Sequence, residues 1–287
     1  MSRIDAHVHV WDLGVRDQPW TTGDLAPLHR TFALDDVAAD RARAGIDGVV
    51  VVQTLAVAEE TLDLLTLAAA DAAVAGVVGW VDLTAGDVAE RLVRLRGHPR
   101  GEQLVGIRHL VQSEPDPRWL CRADVRRGLT AVADAQLAYD LLVLPHQLAA
   151  ARETVAGLPE LRFVVDHLAK PPIASGELEP WAADIRALAA LPNVACKLSG
   201  LVTEADWSRW TIDALRPYTE VVLEAFGPDR VLFGSDWPVC TLAASYDEVV
   251  AAAEALVAGL DVRERAAVFG DNARAVYRLP APAVTAG

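Results

Sequence analysis

A chain of 287 residues, 52% hydrophobic and 23% charged, can bury a large core in one domain and has the balance of a soluble globular protein. Its formal net charge of −14 repels nucleic acid and anionic membrane surfaces, which sets both aside as partners. Cys121, Cys196 and Cys240 are widely spaced and form no Cys-x-x-Cys pair, which argues against a disulfide framework or a cysteine zinc site and fits a reducing compartment.

The opening MSRIDAHVHVWD has no apolar core of the kind a signal peptide needs. The longest uncharged apolar run, near Ala72 to Val81, is too short for a membrane span and holds Gly76 and Gly79. A cytoplasmic protein is expected. In chain order, short β-branched runs alternate with Ala/Leu-rich amphipathic stretches, the pattern of βα units around a parallel sheet. Eight strands are predicted: Arg3–Val10, Asp47–Gln53, Ala75–Asp82, Leu104–Leu110, Ala138–Leu144, Arg162–Asp166, Asn193–Leu198 and Val231–Ser235. The clear helices between them are Leu34–Ala44, Ala58–Ala73, Asp124–Ala135, Gln147–Ala156, Trp181–Ala190 and Ile212–Phe226, with a last helical region from Tyr246 to Tyr277. Eight units without a break in composition predict one closed (β/α)8 TIM barrel over residues 1–279, with 280–287 as a frayed tail. A doubly wound sheet is the alternative. It would carry a glycine-rich loop after its first strand, where this chain has His-Val-His.

Catalytic groups of such barrels sit at the C-terminal ends of the strands. The first strand ends in His7-Val8-His9. Residues two apart share a strand face, so both imidazoles enter the mouth together, their Cα atoms about 7 Å apart at a rise of ~3.3 Å per residue. Asp5 is expected on the same face, one layer deeper. Taken alone, His-x-His also suits a polar pair on a solvated edge strand. Asp166 and His167 end the sixth strand before Pro171-Pro172, and Asp236 follows the eighth. A carboxylate in an apolar mouth needs a cation or metal beside it, and it can act as ligand or general base. Arg108 and His109 end the fourth strand, Asp82 the third, and Lys197 and Ser199 share a face of the seventh. These are candidate substrate contacts, and each also reads as a barrel-end ion pair. Trp11, Trp80, Trp207 and Trp237 fall near the mouth, where indoles can cover a sugar face or anchor loops.

His-x-His on the first strand, His on the sixth and Asp on the eighth resemble the amidohydrolase superfamily. RIDAHVHVWD, GIRHLVQSEPDPRWL, FVVDHLAKPPI, CKLSGLVTEADW and LFGSDWPVC resemble more closely its amidohydrolase-2 branch of sugar lactonases, which includes L-fuconolactonases and L-rhamnonolactonases. The resemblance implies His7, His9 and Asp236 as metal ligands, or the two histidines as carbonyl ligands. It implies His167 as the group that polarises the substrate and Asp236 as the group that activates water. Binuclear members bridge their metals with a fourth-strand lysine. Here that strand ends Gly106-Ile107-Arg108-His109, so at most one divalent ion, zinc first, is expected, and lactonases of the superfamily that work without metal keep that option open. Mononuclear members use a fifth-strand histidine, a role His146 would fill.

A dicarboxylated lactone would call for several arginines, since Arg pairs carboxylates bidentately, and Arg108 alone stands at a strand end. The expected substrate is a neutral six-carbon aldonolactone, contacted by Arg108, His109, Asp82, Lys197, Trp237 and His146. The alternatives are a metal-dependent decarboxylase on the same scaffold and a non-catalytic barrel binding a sugar acid. A homo-oligomer is compatible with the sequence.

Overall fold

The computed structural model describes residues 2–279; the expected tail lies outside them. Eight parallel strands form one sheet in sequential order: β1 Arg3–Val8, β2 Ile46–Val52, β3 Val74–Gly79, β4 Leu104–His109, β5 Ala138–Leu141, β6 Arg162–Val165, β7 Val194–Leu198 and β8 Val231–Phe233. The sheet closes on itself just beyond β8. Asp236 N–H donates to the His7 carbonyl at 2.9 Å, and His9 N–H donates to the Trp237 carbonyl at 2.7 Å. The result is the expected (β/α)8 barrel.

Eleven α-helices are present among the described residues: α1 Ala38–Arg43, α2 Ala58–Ala70, α3 Val88–Arg96, α4 Ala123–Asp134, α5 Leu148–Gly157, α6 Trp181–Ala189, α7 Leu201–Glu204, α8 Ile212–Phe226, α9 Tyr246–Leu256, α10 Val262–Ala266 and α11 Asn272–Tyr277. Their starts follow local chemistry. Ser245 and Glu248 cap α9 reciprocally, as Asp261 and Glu264 cap α10, each pair satisfying backbone donors that a helix leaves free at its first turn. The sequence reading omits α3 because charged residues crowd it and only Val88, Leu92 and Leu95 bury. The last predicted helical region divides into α9, α10 and α11, with a π-turn over Ala267–Asp271.

Two cores result. The larger lies between strands and helices. The smaller fills the barrel: Ile4 and Ala6 of β1, Val50 and Val52 of β2, Val78, Val105, Ala138, Val164, Ala195 and Leu232 meet Ala273, Tyr277 and Leu279, so α11 and the residues after it plug the N-terminal end. Two residues further along the strands the filling changes from apolar to ionic. Ala138 is followed on its face by Asp140, Val164 by Asp166 and Ala195 by Lys197, all of them buried. Above this ionic layer stand the histidines.

Candidate active site

β1 carries a bulge. Asp5 pairs with Val49 but Val8 pairs with Val51, three steps against two, and such an extra residue re-aims the side chains around it. Ile4 and Ala6 point into the barrel, and so does His7, which meets Lys197 and Asp166. Asp5 does not share the face of His7, as the plain alternation predicts. It turns outward, accepting from Ser235 N–H at 2.8 Å and from the Tyr246 hydroxyl of α9 at 3.0 Å. It braces the β1–β8 seam instead of lining the site.

The imidazoles converge. His7 Nε2 and His9 Nε2 lie 3.1 Å apart. Asp236 Oδ1 lies 3.7 Å from His7 Nε2, 3.5 Å from His9 Nε2 and 3.8 Å from His167 Nε2. His9 Nδ1 is 2.7 Å from the Val52 carbonyl. A carbonyl only accepts, so Nδ1 carries the proton and Nε2 keeps its lone pair for a ligand. His167 Nδ1 meets the Ser199 hydroxyl at 2.9 Å.

Burial lowers the His7 imidazole well below its ordinary value, and Lys197 adds to it. Burial likewise brings His167 down to about 4, against the pull of Asp236 and Asp166. Both rings are neutral near pH 7 on this account. Burial alone would push the Asp236 carboxyl up, but the surrounding His167, His9 and His7 imidazoles together hold it below the usual carboxylate range. The Asp236 carboxyl is therefore ionised near neutral pH.

Beneath these groups lies a buried ionic layer. Lys197 Nζ is 2.6 Å from Asp140 Oδ2, 2.9 Å from Asp166 Oδ1 and 3.0 Å from His7 Nδ1. Arg108 Nη1 donates to Asp166 Oδ2 at 3.1 Å and also approaches His7 Nε2 at 3.3 Å, and its Nη2 donates to the Gln53 carbonyl. Two cations thus face two carboxylates, the pairing that buried charge requires.

The donor set fits one divalent ion. The ligand atoms of His7, His9 and Asp236 lie within 4.8 Å of one another, and all three residues are buried. His7, Asp166 and His167 form a second such group, but both Asp166 oxygens already face Lys197 or Arg108.

A cavity of about 530 Å³ opens above this floor, with His9, Arg108, His167 and Asp236 at its base and Trp20, Gln112, Lys170, Glu204 and Trp207 among its walls. The other expected substrate contacts stand elsewhere. Lys197 is fully buried beneath the floor, its donors spent on the ionic layer. His109 is gripped by the Trp80 indole at 2.9 Å and by Glu114 at 2.7 Å, and it stacks on Trp119. Asp82 caps the turn at Thr84, accepting from its N–H and its hydroxyl. Trp237 is buried edge-on to Phe32. His146 is exposed on the turn Pro145–Gln147, away from the cavity. Sequence reasoning missed the wall residues Trp20, Gln112, Lys170 and Glu204, which lie on loops and on the short α7, where no periodic pattern marks an inward side.

The chain is 40% identical to an L-fucono-1,5-lactonase of Burkholderia multivorans, over 98% of this chain and 97% of that protein. Identity is also 40% to an L-fucono-1,5-lactonase of Burkholderia ambifaria, over the same shares. The structure superposes on a crystal structure of an amidohydrolase from Burkholderia multivorans with bound zinc, with a TM-score of 0.92 and 39% identity, covering 98% of this chain and all of that one. The amidohydrolase family model matches residues 4–279. By its ordered His and Asp constellation, its barrel and these likenesses, the chain belongs to the amidohydrolase family.

Proposed function

We propose that this protein is a lactonase that opens a neutral sugar 1,5-lactone to the sugar acid. The observation that carries the reading is the ionised Asp236 carboxylate set among three imidazoles on the floor of a cavity of sugar size. The relatives at 40% identity named for L-fucono-1,5-lactone supply the substrate class.

On this reading Asp236 takes a proton from water, and the hydroxide oxygen bonds to the lactone carbonyl carbon. With the Ser199 hydroxyl as donor to His167 Nδ1, 2.9 Å away, the Nε2–H of His167 would be directed at the cavity, where it would stabilise the carbonyl oxygen as charge gathers on it. The ring C–O bond then breaks as the Asp236 carboxyl returns its proton to the ring oxygen. Arg108 and Lys197 hold Asp166 and His7 in place beneath. His7, His9 and Asp236 would hold a divalent ion, zinc first, and its chemistry there is Lewis-acid polarisation of the carbonyl. A decarboxylase of this scaffold would bring His146 to the ion, and the exposed position of His146 speaks against it.

The test is acid release, followed with a pH indicator, on a panel of aldonolactones with L-fucono- and D-galactono-1,5-lactone included. Asp236→Asn should lose ~10² or more in kcat, the scale of a positioned acid–base group. Turnover of no lactone in the panel, or a near-normal Asp236→Asn variant, would overturn the reading. Carbon dioxide release from a carboxylated substrate would establish the decarboxylase instead.

A further inference from the structure

Between β6 and the Pro171-Pro172 pair, His167, Leu168, Ala169 and Lys170 have φ values of 52°, 54°, 58° and 53°. Side chains other than glycine visit this left-handed region as single residues and at a steric cost. Four in succession form a strained left-handed turn, and strain held in place by its surroundings is a pointer to function. The turn is held closed. Lys170 N–H donates to the His167 carbonyl, and the Trp181 indole donates to the Leu168 carbonyl, both at 2.7 Å. Residues three apart in so tight a turn lie on one side of it. The turn therefore delivers His167 to the floor of the cavity and Lys170 to its wall.

Lys170 Nζ meets Glu204 Oε1 at 3.0 Å, and both side chains are 24% exposed, to the cavity. Glu204 ends α7, which begins just after Gly200, itself packed on the His167 ring. The pair is thus fixed to the same two connections that fix His167. It lines the cavity together with Trp207 and Gln112, whose Oε1 is buried without a partner. A partly exposed ion pair of this kind contributes little stability. A carboxylate that accepts and an ammonium that donates are together what two neighbouring hydroxyls require.

The geometry points to Lys170 and Glu204 as a clamp for adjacent ring hydroxyls of the substrate that sets specificity for a polyhydroxylated ring. This rests on the lactonase reading and deepens it. A ring lacking hydroxyls leaves the clamp unused, and a second carboxylate on the substrate would face Glu204.

The experiment compares kcat/KM on L-fucono- or D-galacto-configured 1,5-lactones with kcat/KM on unsubstituted δ-valerolactone, in the wild type, Lys170→Met and Glu204→Gln. Calorimetric binding of the matching 1,5-lactams, neutral and unhydrolysed, is measured beside it. The preference for the hydroxylated lactone should fall at least tenfold in each variant, with most of the change in KM, and lactam affinity should fall in parallel, in line with the discrimination of sites built to bind a hydroxyl. Glu204→Gln keeps the side-chain shape and guards against a folding defect. An equal loss on both lactones would make the pair a structural brace and overturn the clamp, as would no loss on either. A wild type that binds the lactams through these residues but opens no sugar lactone would keep the clamp and overturn the lactonase reading. A wild type that neither binds nor hydrolyses would overturn both.

Discussion

His7 meets a histidine, a lysine, an arginine and two aspartates, none further than 3.7 Å. So crowded a ring has its orientation over-determined. The positive ends of Lys197 and Arg108 stand where a second ion would be held, by Asp166. Like charges oppose its entry. Elemental analysis of the purified protein should therefore find no more than one divalent ion per chain. Two tightly held ions would contradict this. Of these residues, His7, His9, His167 and Asp236 stand out in the sequence because polar side chains interrupt apolar strands at their ends. The substrate contacts were much less legible. Lys197 looks available in the sequence, but its partners Asp140 and Asp166 come from two other strands, and only the closed barrel shows that its charge is already spent.

Single connections between elements do as much as single side chains. At the β7–α7 connection Gly200 has φ of 66°, and a Cβ there would sit 2.7 Å from His167 Nδ1. Gly200→Ala should cost ~1–2 kcal/mol in stability from the left-handed backbone. Because it also pushes His167 aside, it should lower kcat/KM by about 10²-fold, the cost of a misplacement near 1 Å. Kinetics and thermal melting of the folded variant separate the two effects, and unchanged kinetics would show that His167 has room to shift. Element types were legible because Val-rich runs and Ala/Leu periodicity differ strongly in period. Element ends were less so. β1, β3, β5 and β8 all stop short of their predicted C-terminal limits, because there the chain leaves the sheet to place a site residue or loop. The β1 bulge was invisible for a related reason. Nothing in Ile4-Asp5-Ala6-His7 marks an extra residue, and only pairing with β2 reveals it.

Across the whole molecule, the two ends of the barrel are tied through the ionic layer. The Tyr277 hydroxyl of α11, in the N-terminal plug, donates to both oxygens of Asp140 at 2.8 Å, and Asp140 pairs with Lys197 under the site. Burial, opposed by Lys197, raises the Asp140 carboxyl to about 6. A carboxyl raised in the folded state favours folding at acid pH and loses that contribution as pH rises through about 6. The Tyr277 hydroxyl offsets the loss, because it stabilises the charged form. Tyr277→Phe should therefore cost ~1–3 kcal/mol, with the larger penalty above the Asp140 transition. Denaturant melts of wild type and variant near pH 8 and near pH 5 read the difference. An equal penalty at both values would mean that Asp140 does not change its charge in that range.

The seam that closes the barrel has a consequence for the making of the protein. His7 and His9 are synthesised more than two hundred residues before Asp236. The same backbone that joins them, Asp236 to His7 and His9 to Trp237, is the last pairing in the circle of strands. A growing chain that has completed seven strands owns most of the scaffold and the three site histidines but not Asp236. Hydrolytic power should thus switch on in one step when the ring closes, so that activity recovered during refolding reports closure itself rather than the gradual gain of helix. Refolding followed in parallel by lactone turnover and by far-ultraviolet dichroism would show activity lagging the helical signal.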